Sequence, residues 1–180
     1  SIEWYRKQAK TVAGKEITAE TLLNTKDKGR AKARLTGSAF IGSMYFFEYD
    51  PKHKETLPYY DRFPLIFPIN KAKGGILGLN MHYLPPQLRA QLMDALYTLT
   101  TDSNYNEKTK LAMNYKLLAA SSKFRLFAPC VKHYLSSHVR SRFIKIEASE
   151  WDTALFLPVQ SFQKAGSAKV WADSRRIIKG

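Results

Sequence analysis

Four histidines (His53, His82, His133, His138) and one cysteine, Cys130, are the residues of this chain best suited to bind a soft metal or to act as a base near neutral pH. A zinc site needs three or four such ligands at short, fixed intervals, and these five do not supply them. His133 and His138 stand five apart, so on a helix they point in different directions instead of toward a shared ion. His82, between Met81 and Tyr83, reads as a sheet histidine whose polar atoms are satisfied internally. Covalent chemistry lacks its signatures as well. There is no G-x-S-x-G turn, and Cys130 has only His133 near it along the chain, so it reads as a buried thiol. Glu48, Asp50, Asp61 and Glu147 are the carboxylates whose convergence would hold a hard divalent ion for a nuclease, yet none falls in a recognisable motif. Gly74, Gly75 and Gly78 lack the Lys-Ser/Thr ending of a phosphate loop and precede a strand, so they read as turn and bulge glycines. The expectation is a protein with no catalytic residue, metal or cofactor. A metal-dependent nuclease is the remaining enzymatic alternative.

Charge is the stronger signal. The 180 residues carry 29 Lys and Arg against 15 Asp and Glu, a formal net charge of +14. Such a field attracts polyanions, acidic protein surfaces or anionic membranes. The basic residues cluster. Lys26, Lys28, Arg30, Lys32 and Arg34 face only Asp27 in the run KDKGRAKARLTG. A second stretch, 123–145, holds Lys132, Arg140 and Arg142 with no acidic residue, and the end of the chain adds Arg175 and Arg176. These ten are the candidate residues for binding nucleic acid or an acidic partner, because neutralising phosphate demands charge but no particular pattern. Phe124, Phe127, Phe143 and Trp171 are interleaved with them and would stack on bases if exposed; a core role is the preferred reading.

The elements that must position these residues follow from periodicity. Helical spacing is expected from Ile2 to Gly14 and over 18–23, followed by the basic run as an arm. SMYFFEYD reads as a strand and the polar run after Asp50 as a turn. Residues 63–69 form a strand that Pro64 and Pro68 confine to a sheet edge or bend by a bulge. A third strand, bracketed by Gly74, Gly75 and Gly78, ends near Tyr83. A helix begins with Pro86 in its first turn, and another is expected over 107–121. Pro129 then opens a third helix through Arg142, with Val131, Tyr134, Leu135 and His138 inward. Residues 142–147 alternate like a strand, Ser149 and Asp152 form a capping box for a short helix stopped by Pro158, and the last twenty residues are extended.

The fold class is therefore α+β: a small, strongly twisted sheet or SH3-like partial barrel followed by several helices, with basic extended arms. Residues 1–36 form the amino-terminal arm with short helices, 37–160 the core domain and 161–180 the basic tail. The single cysteine points to a reducing compartment, and the longest apolar stretches are too short and proline-broken to insert in a membrane.

The phrases LPYYDRFPLIFPI and GGILGLNMHYLPP, with the later EWDTALFLP and VWADSRR, resemble small proteins carried by large contractile-tailed bacteriophages. The resemblance implies a virion or assembly component located in the virion and, during assembly, in the host cytoplasm; no site residue carries over from it. The function expected is a non-enzymatic structural subunit of the tail, baseplate or neck that joins other virion proteins through its basic arms. The alternative is a sequence-nonspecific DNA-binding protein associated with packaged phage DNA.

Overall fold

A computed structural model describes residues 35–41, 43–98, 125–146 and 151–180. The expected helices before Gly14 and over 18–23 and 107–121, the basic run 26–34 and the capping residue Ser149 lie outside the described residues. The chain is α+β, built on a mostly antiparallel sheet with a few helices.

Six strands make the main sheet: β1 (Leu35–Thr36), β2 (Met44–Phe46), β4 (Leu65–Ala72), β5 (Gly75–Asn80), β6 (Val131–Leu135) and β7 (Phe143–Ile146). They lie in the order β1-β7-β2-β4-β5-β6, every neighbouring pair antiparallel. A second sheet pairs β3 (Tyr60–Asp61) with β8 (Phe162–Gln163). The unbroken run of apolar residues in MYFF has a direct cause: both faces of β2 are covered. Successive side chains alternate between faces, so Met44 and Phe46 join the larger core while Tyr45 and Phe47 enter a smaller one with Tyr49, Ile66 and Tyr134. β4 repeats the division, with Leu65, Phe67 and Ile69 on the larger side. Past the end of β2, Tyr49 bridges Val139. The Arg140 amide donates to the Glu48 carbonyl at 2.9 Å and the Asp50 amide to the His138 carbonyl at 3.0 Å. Leu135, closing β6, donates its amide to the Tyr49 hydroxyl at 2.9 Å. The last strand in the sheet order thus reaches back to β2, and the sheet bends around the smaller core.

The prolines of β4 behave differently from the edge-strand expectation. β4 is interior, flanked by β2 and β5, and the bulge alternative holds: its register with β5 shifts between Pro68 and Asn70. The ladder to β2 pairs Leu65 and Ile66 only, so Pro68 lies beyond it and its missing N–H leaves no gap there. The β4–β5 turn needs Gly74, at φ +77°. A Cβ on Gly75 would run into the Tyr134 carbonyl, so this residue admits β6 alongside β5.

The helix expected over 129–142 is absent. Residues Ala128–Cys130 form a 3-10 turn, Val131–Leu135 is strand β6, and Ser136–His138 is a second 3-10 turn. Five successive pairings with β5, Gly75↔Leu135 through Leu79↔Val131, satisfy this backbone and override the helix-like spacing of its apolar residues. His138 is partly buried and its Nδ1 lies 2.8 Å from the Asp50 carbonyl oxygen.

Helices cover the larger core. α1 (Pro86–Thr98) sends Leu92 and Met93 into it and α2 (Trp151–Phe156) sends Leu155. Buried Arg89 joins them, donating Nε to the Leu84 carbonyl at 2.7 Å and Nη1 to the Leu155 carbonyl at 2.6 Å. The expectation of an extended carboxyl terminus is overturned, because Ser167–Lys179 is a helix, α3. Val170, Ser174 and Ile178 recur every four residues and give it one inward face. Val170 is fully buried, a contribution of about 1.5–3 kcal/mol. The Gly180 amide closes the helix on the Arg176 and Ile177 carbonyls.

Candidate nucleic-acid interface

Of the ten cations expected to meet an acidic partner, Lys26, Lys28, Arg30, Lys32 and Arg34 lie outside the described residues. The structure divides the other five. Lys132 is half-buried on β6 with Nζ 4.1 Å from the centre of the Tyr83 ring, and burial lowers its pKa. Its charge is largely committed to the interior. Arg140 and Arg142 lie in the connection between β6 and β7. Arg140 is exposed, donates Nη1 to the Ser137 carbonyl at 2.7 Å and stands 3.7 Å from Asp50. Arg142 is exposed and its guanidinium has no partner among the described residues. Arg175 on α3 is exposed and likewise unpaired among the described residues, whereas Arg176 shares Asp173 with Lys169.

Connectivity sorts these groups. α3 packs on the 3-10 turns at Ala128–Cys130 and Met81–Tyr83, at the start of β6. Arg140 and Arg142 follow the end of β6, roughly 15 Å away along a five-residue strand. At that far end the structure adds two lysines that the sequence reading did not single out. Lys71 near the end of β4 and Lys73 in the β4–β5 turn are exposed, and the Ser136 amide donates to the Gly74 carbonyl at 2.9 Å, fastening that turn to the one leading to Arg140. Their only signal in the sequence was their place beside Gly74. Four cations therefore share one end of the sheet.

Beside them opens a groove of about 710 Å³. Ile76, Tyr134, Val139 and Phe143 contribute apolar lining, and Arg140 and Arg142 contribute charge. The loop carrying the arginines is pinned. Ser141 Oγ accepts the Glu48 amide at 2.8 Å and donates to the Arg142 carbonyl at 2.9 Å. The backbone of Arg142 is fixed while its head group stays available.

Three of the four interleaved aromatics are described, and they pack against the interior, with Phe143 half-buried and also lining the groove. Phe127 is buried, Phe143 lies 4.9 Å from Phe47 and 5.9 Å from Tyr45 between ring centres, and the Trp171 indole donates to the His82 carbonyl at 2.9 Å. Phe124 lies outside the described residues. Several other cations are engaged. Lys54 pairs with Asp50 and Arg62 with Glu48, weak exposed bridges that a polyanion can displace. Lys164 donates to the Lys54, Glu55 and Leu57 carbonyls, the latter two at 3.0 Å.

Of the carboxylates considered for a nuclease, Glu48, Asp50 and Asp61 go to separate partners and Glu147 lies outside the described residues. Asp61 is buried, and its Oδ1 accepts the Phe63 amide at 3.1 Å and the Ser161 amide at 3.2 Å. Its Oδ2 accepts Asn80 Nδ2 at 3.1 Å and faces His82 Nδ1 at 2.7 Å. Burial pushes Asp61 upward, but the His82 partner and these hydrogen bonds outweigh it, and the carboxyl ends below its ordinary value. Burial likewise dominates for His82 and lowers its pKa despite the carboxylate. The pair is thus a neutral imidazole donating its Nδ1 proton to an ionised Asp61. It is a structural knot joining β3 to the turn at Met81–Tyr83. Cys130 is fully buried, which pushes its thiol up to about 12. No group of three or more metal-ligating side chains occurs among the described residues, and no helix among them is long and apolar enough to cross a membrane.

The family model described as the phage T4 terminal DNA protecting protein matches residues 1–174. No curated protein and no solved structure matches the chain. The match bears out a phage protein but overturns the expected role as a structural subunit of tail, baseplate or neck, because the family is described by what it does to DNA ends. It favours the DNA-binding alternative instead. With all but six residues matched by one family model, the chain belongs to the phage T4 terminal DNA protecting protein family.

Proposed function

We propose that this protein binds the ends of phage DNA and shields them, acting by occupancy and without catalysing a reaction. The observation that carries this reading is the family match over residues 1–174. Charge supports it. A net charge of +14 supplies the sequence-independent attraction that phosphate binding requires. Arg142 and Arg175 offer it from opposite ends of β6, the first beside Lys71, Lys73 and Arg140. The basic run Lys26–Arg34 adds five cations on the amino-terminal side of β1.

The body that presents these charges is best read as a partial barrel of the SH3-like kind. β2, β4, β5, β6 and β7 serve as its five successive strands. Their spatial order, with the last strand beside the first, and the 3-10 turn Ser136–His138 between the fourth and fifth support that reading. On this reading, 81–130 is a long insertion between the third and fourth strands that supplies α1.

Binding to linear duplex DNA across a salt series tests the phosphate-contact part of this reading. Each neutralised phosphate adds about −0.9 to the slope of log K against log salt. Steep salt dependence is expected, with Arg175→Ala flattening the slope by about one. Affinity for duplex DNA that is absent at low salt, or independent of salt, would remove the proposal.

A further inference from the structure

The groove beside Arg142 has features that a general phosphate surface does not need. Phosphates along a duplex lie on a convex backbone, and a flat array of cations suffices to meet them. Here the charge borders a concavity of about 710 Å³ with an apolar lining, within the size range of small-molecule sites. No Asp or Glu is among its described lining residues. Asp50, which faces Arg140 at 3.7 Å, is also engaged by Lys54 at 2.9 Å. A ligand that satisfies all of this carries an anion next to a flat apolar ring.

We propose that this groove seats the terminal nucleotide of a DNA strand, its phosphate on Arg142 and its base against the apolar wall that Val139 and Phe143 contribute. The inference rests on the DNA-end reading above and adds the place where an end is told from an interior. Within a duplex each base face is covered by its neighbours, and exposing one costs unstacking energy. A strand terminus offers one uncovered face without that cost. Stacking on an aromatic side chain is tolerant of base identity, which suits a site that reads ends and not sequence. Arg140, held by Ser137 and Asp50, fixes the shape of the rim, while the Arg142 guanidinium, on a pinned backbone, has no partner among the described residues.

The test compares the full chain bound to two labelled DNAs of equal length at low salt: a hairpin duplex with one open, 5′-phosphorylated end, and a closed dumbbell with no end. The intact chain is expected to bind the hairpin about tenfold more tightly. Arg142→Ala should remove about tenfold of hairpin affinity, the scale of one charge-assisted hydrogen bond, and lower dumbbell affinity by a smaller factor, the share of one cation in general phosphate attraction. Arg142→Lys should recover part of the difference. Arg175→Ala should weaken both DNAs equally. Arg142 and Arg175 are exposed, and unchanged thermal midpoints will verify that these variants fold.

An end preference that survives Arg142→Ala overturns the groove while leaving the DNA-end reading standing. An equal loss on both DNAs reduces the groove to general phosphate contact and overturns it too. If the intact chain has no end preference, both readings fall. A variant that binds both DNAs normally but loses a phage protein partner marks a protein-docking surface and also refutes the proposal.

Discussion

Replacing Asp61 by Asn tests whether the buried polar knot holds the cationic helix in place. The carboxylate accepts four hydrogen bonds: from the Phe63 and Ser161 amides at 3.1 and 3.2 Å, from Asn80 at 3.1 Å and from His82 at 2.7 Å. An amide retains one acceptor oxygen, which can keep the two backbone amides. Its NH2 then faces two donors. His82 can adapt by moving its proton to Nε2 and accepting at Nδ1. Asn80 cannot, because its Oδ1 is already held by the His82 and Leu65 amides at 3.0 and 3.4 Å. Asn80 Nδ2 loses its acceptor, and the proton moved to His82 Nε2 meets no partner among the described residues, a cost of at least about 1–3 kcal/mol. With a urea dependence of about 2 kcal/mol per molar, the unfolding midpoint should fall by about 1 M. Asp61→Ala strands all four donors and should cost at least about 4 kcal/mol, close to the whole stability of many domains. The effect should reach DNA binding, since the His82 carbonyl holds the Trp171 indole of α3. A urea midpoint for Asp61→Asn within about 0.2 M of the parent would refute the reasoning.

The same pair sets the acid sensitivity. His82 is lowered from its ordinary 6.5 and Asp61 from 3.8, so in both cases the unfolded chain takes up the proton first. Stability should be full at pH 7, decline as pH falls below 6.5 toward the folded value of His82, and decline again below 3.8; urea midpoints measured across that range will check the sign, and a rise on acidification would contradict it. With its pKa pushed up to about 12, the Cys130 thiol should resist a thiol reagent at mildly alkaline pH in the folded protein and react at once in denaturant; prompt reaction without denaturant would place it elsewhere. Gly75→Ala drives a methyl into the Tyr134 carbonyl and should cost about 3 kcal/mol or more, read as insoluble or unfolded protein; a folded variant of parental stability would show that β6 does not approach there.

Much of the sheet was legible because the local signals agreed. The aromatic run at Met44–Phe46, the glycine turn before β5, Pro86 at the start of α1 and the alternation of Phe143–Ile146 all appear as elements near their expected places. β6 was not legible. Val131, Tyr134, Leu135 and His138 sit at helical intervals, and only the partner strand β5, distant in sequence, decides against the helix. α3 was hidden by its own charge. Arg175, Arg176 and Lys179 suggested a solvated tail, although Val170, Ser174 and Ile178 already carried the repeat of a docked face. At the candidate site, Arg140 and Arg142 were recognisable from charge alone. Their company with Lys71 and Lys73 was not, because it depends on one backbone hydrogen bond from Ser136 to Gly74. The Asp61–His82 pair was half legible: His82 as a satisfied interior histidine, Asp61 only as one of several scattered carboxylates.

The account stands or falls on whether this protein guards DNA termini. Linear duplex DNA preincubated with the full chain and then challenged by a processive double-strand exonuclease should survive in proportion to occupancy of its two ends. Protection should saturate at a few molecules per DNA regardless of its length, and should fade as salt rises. Degradation at the rate of naked DNA, or protection that requires coating the whole length of the molecule, would contradict it.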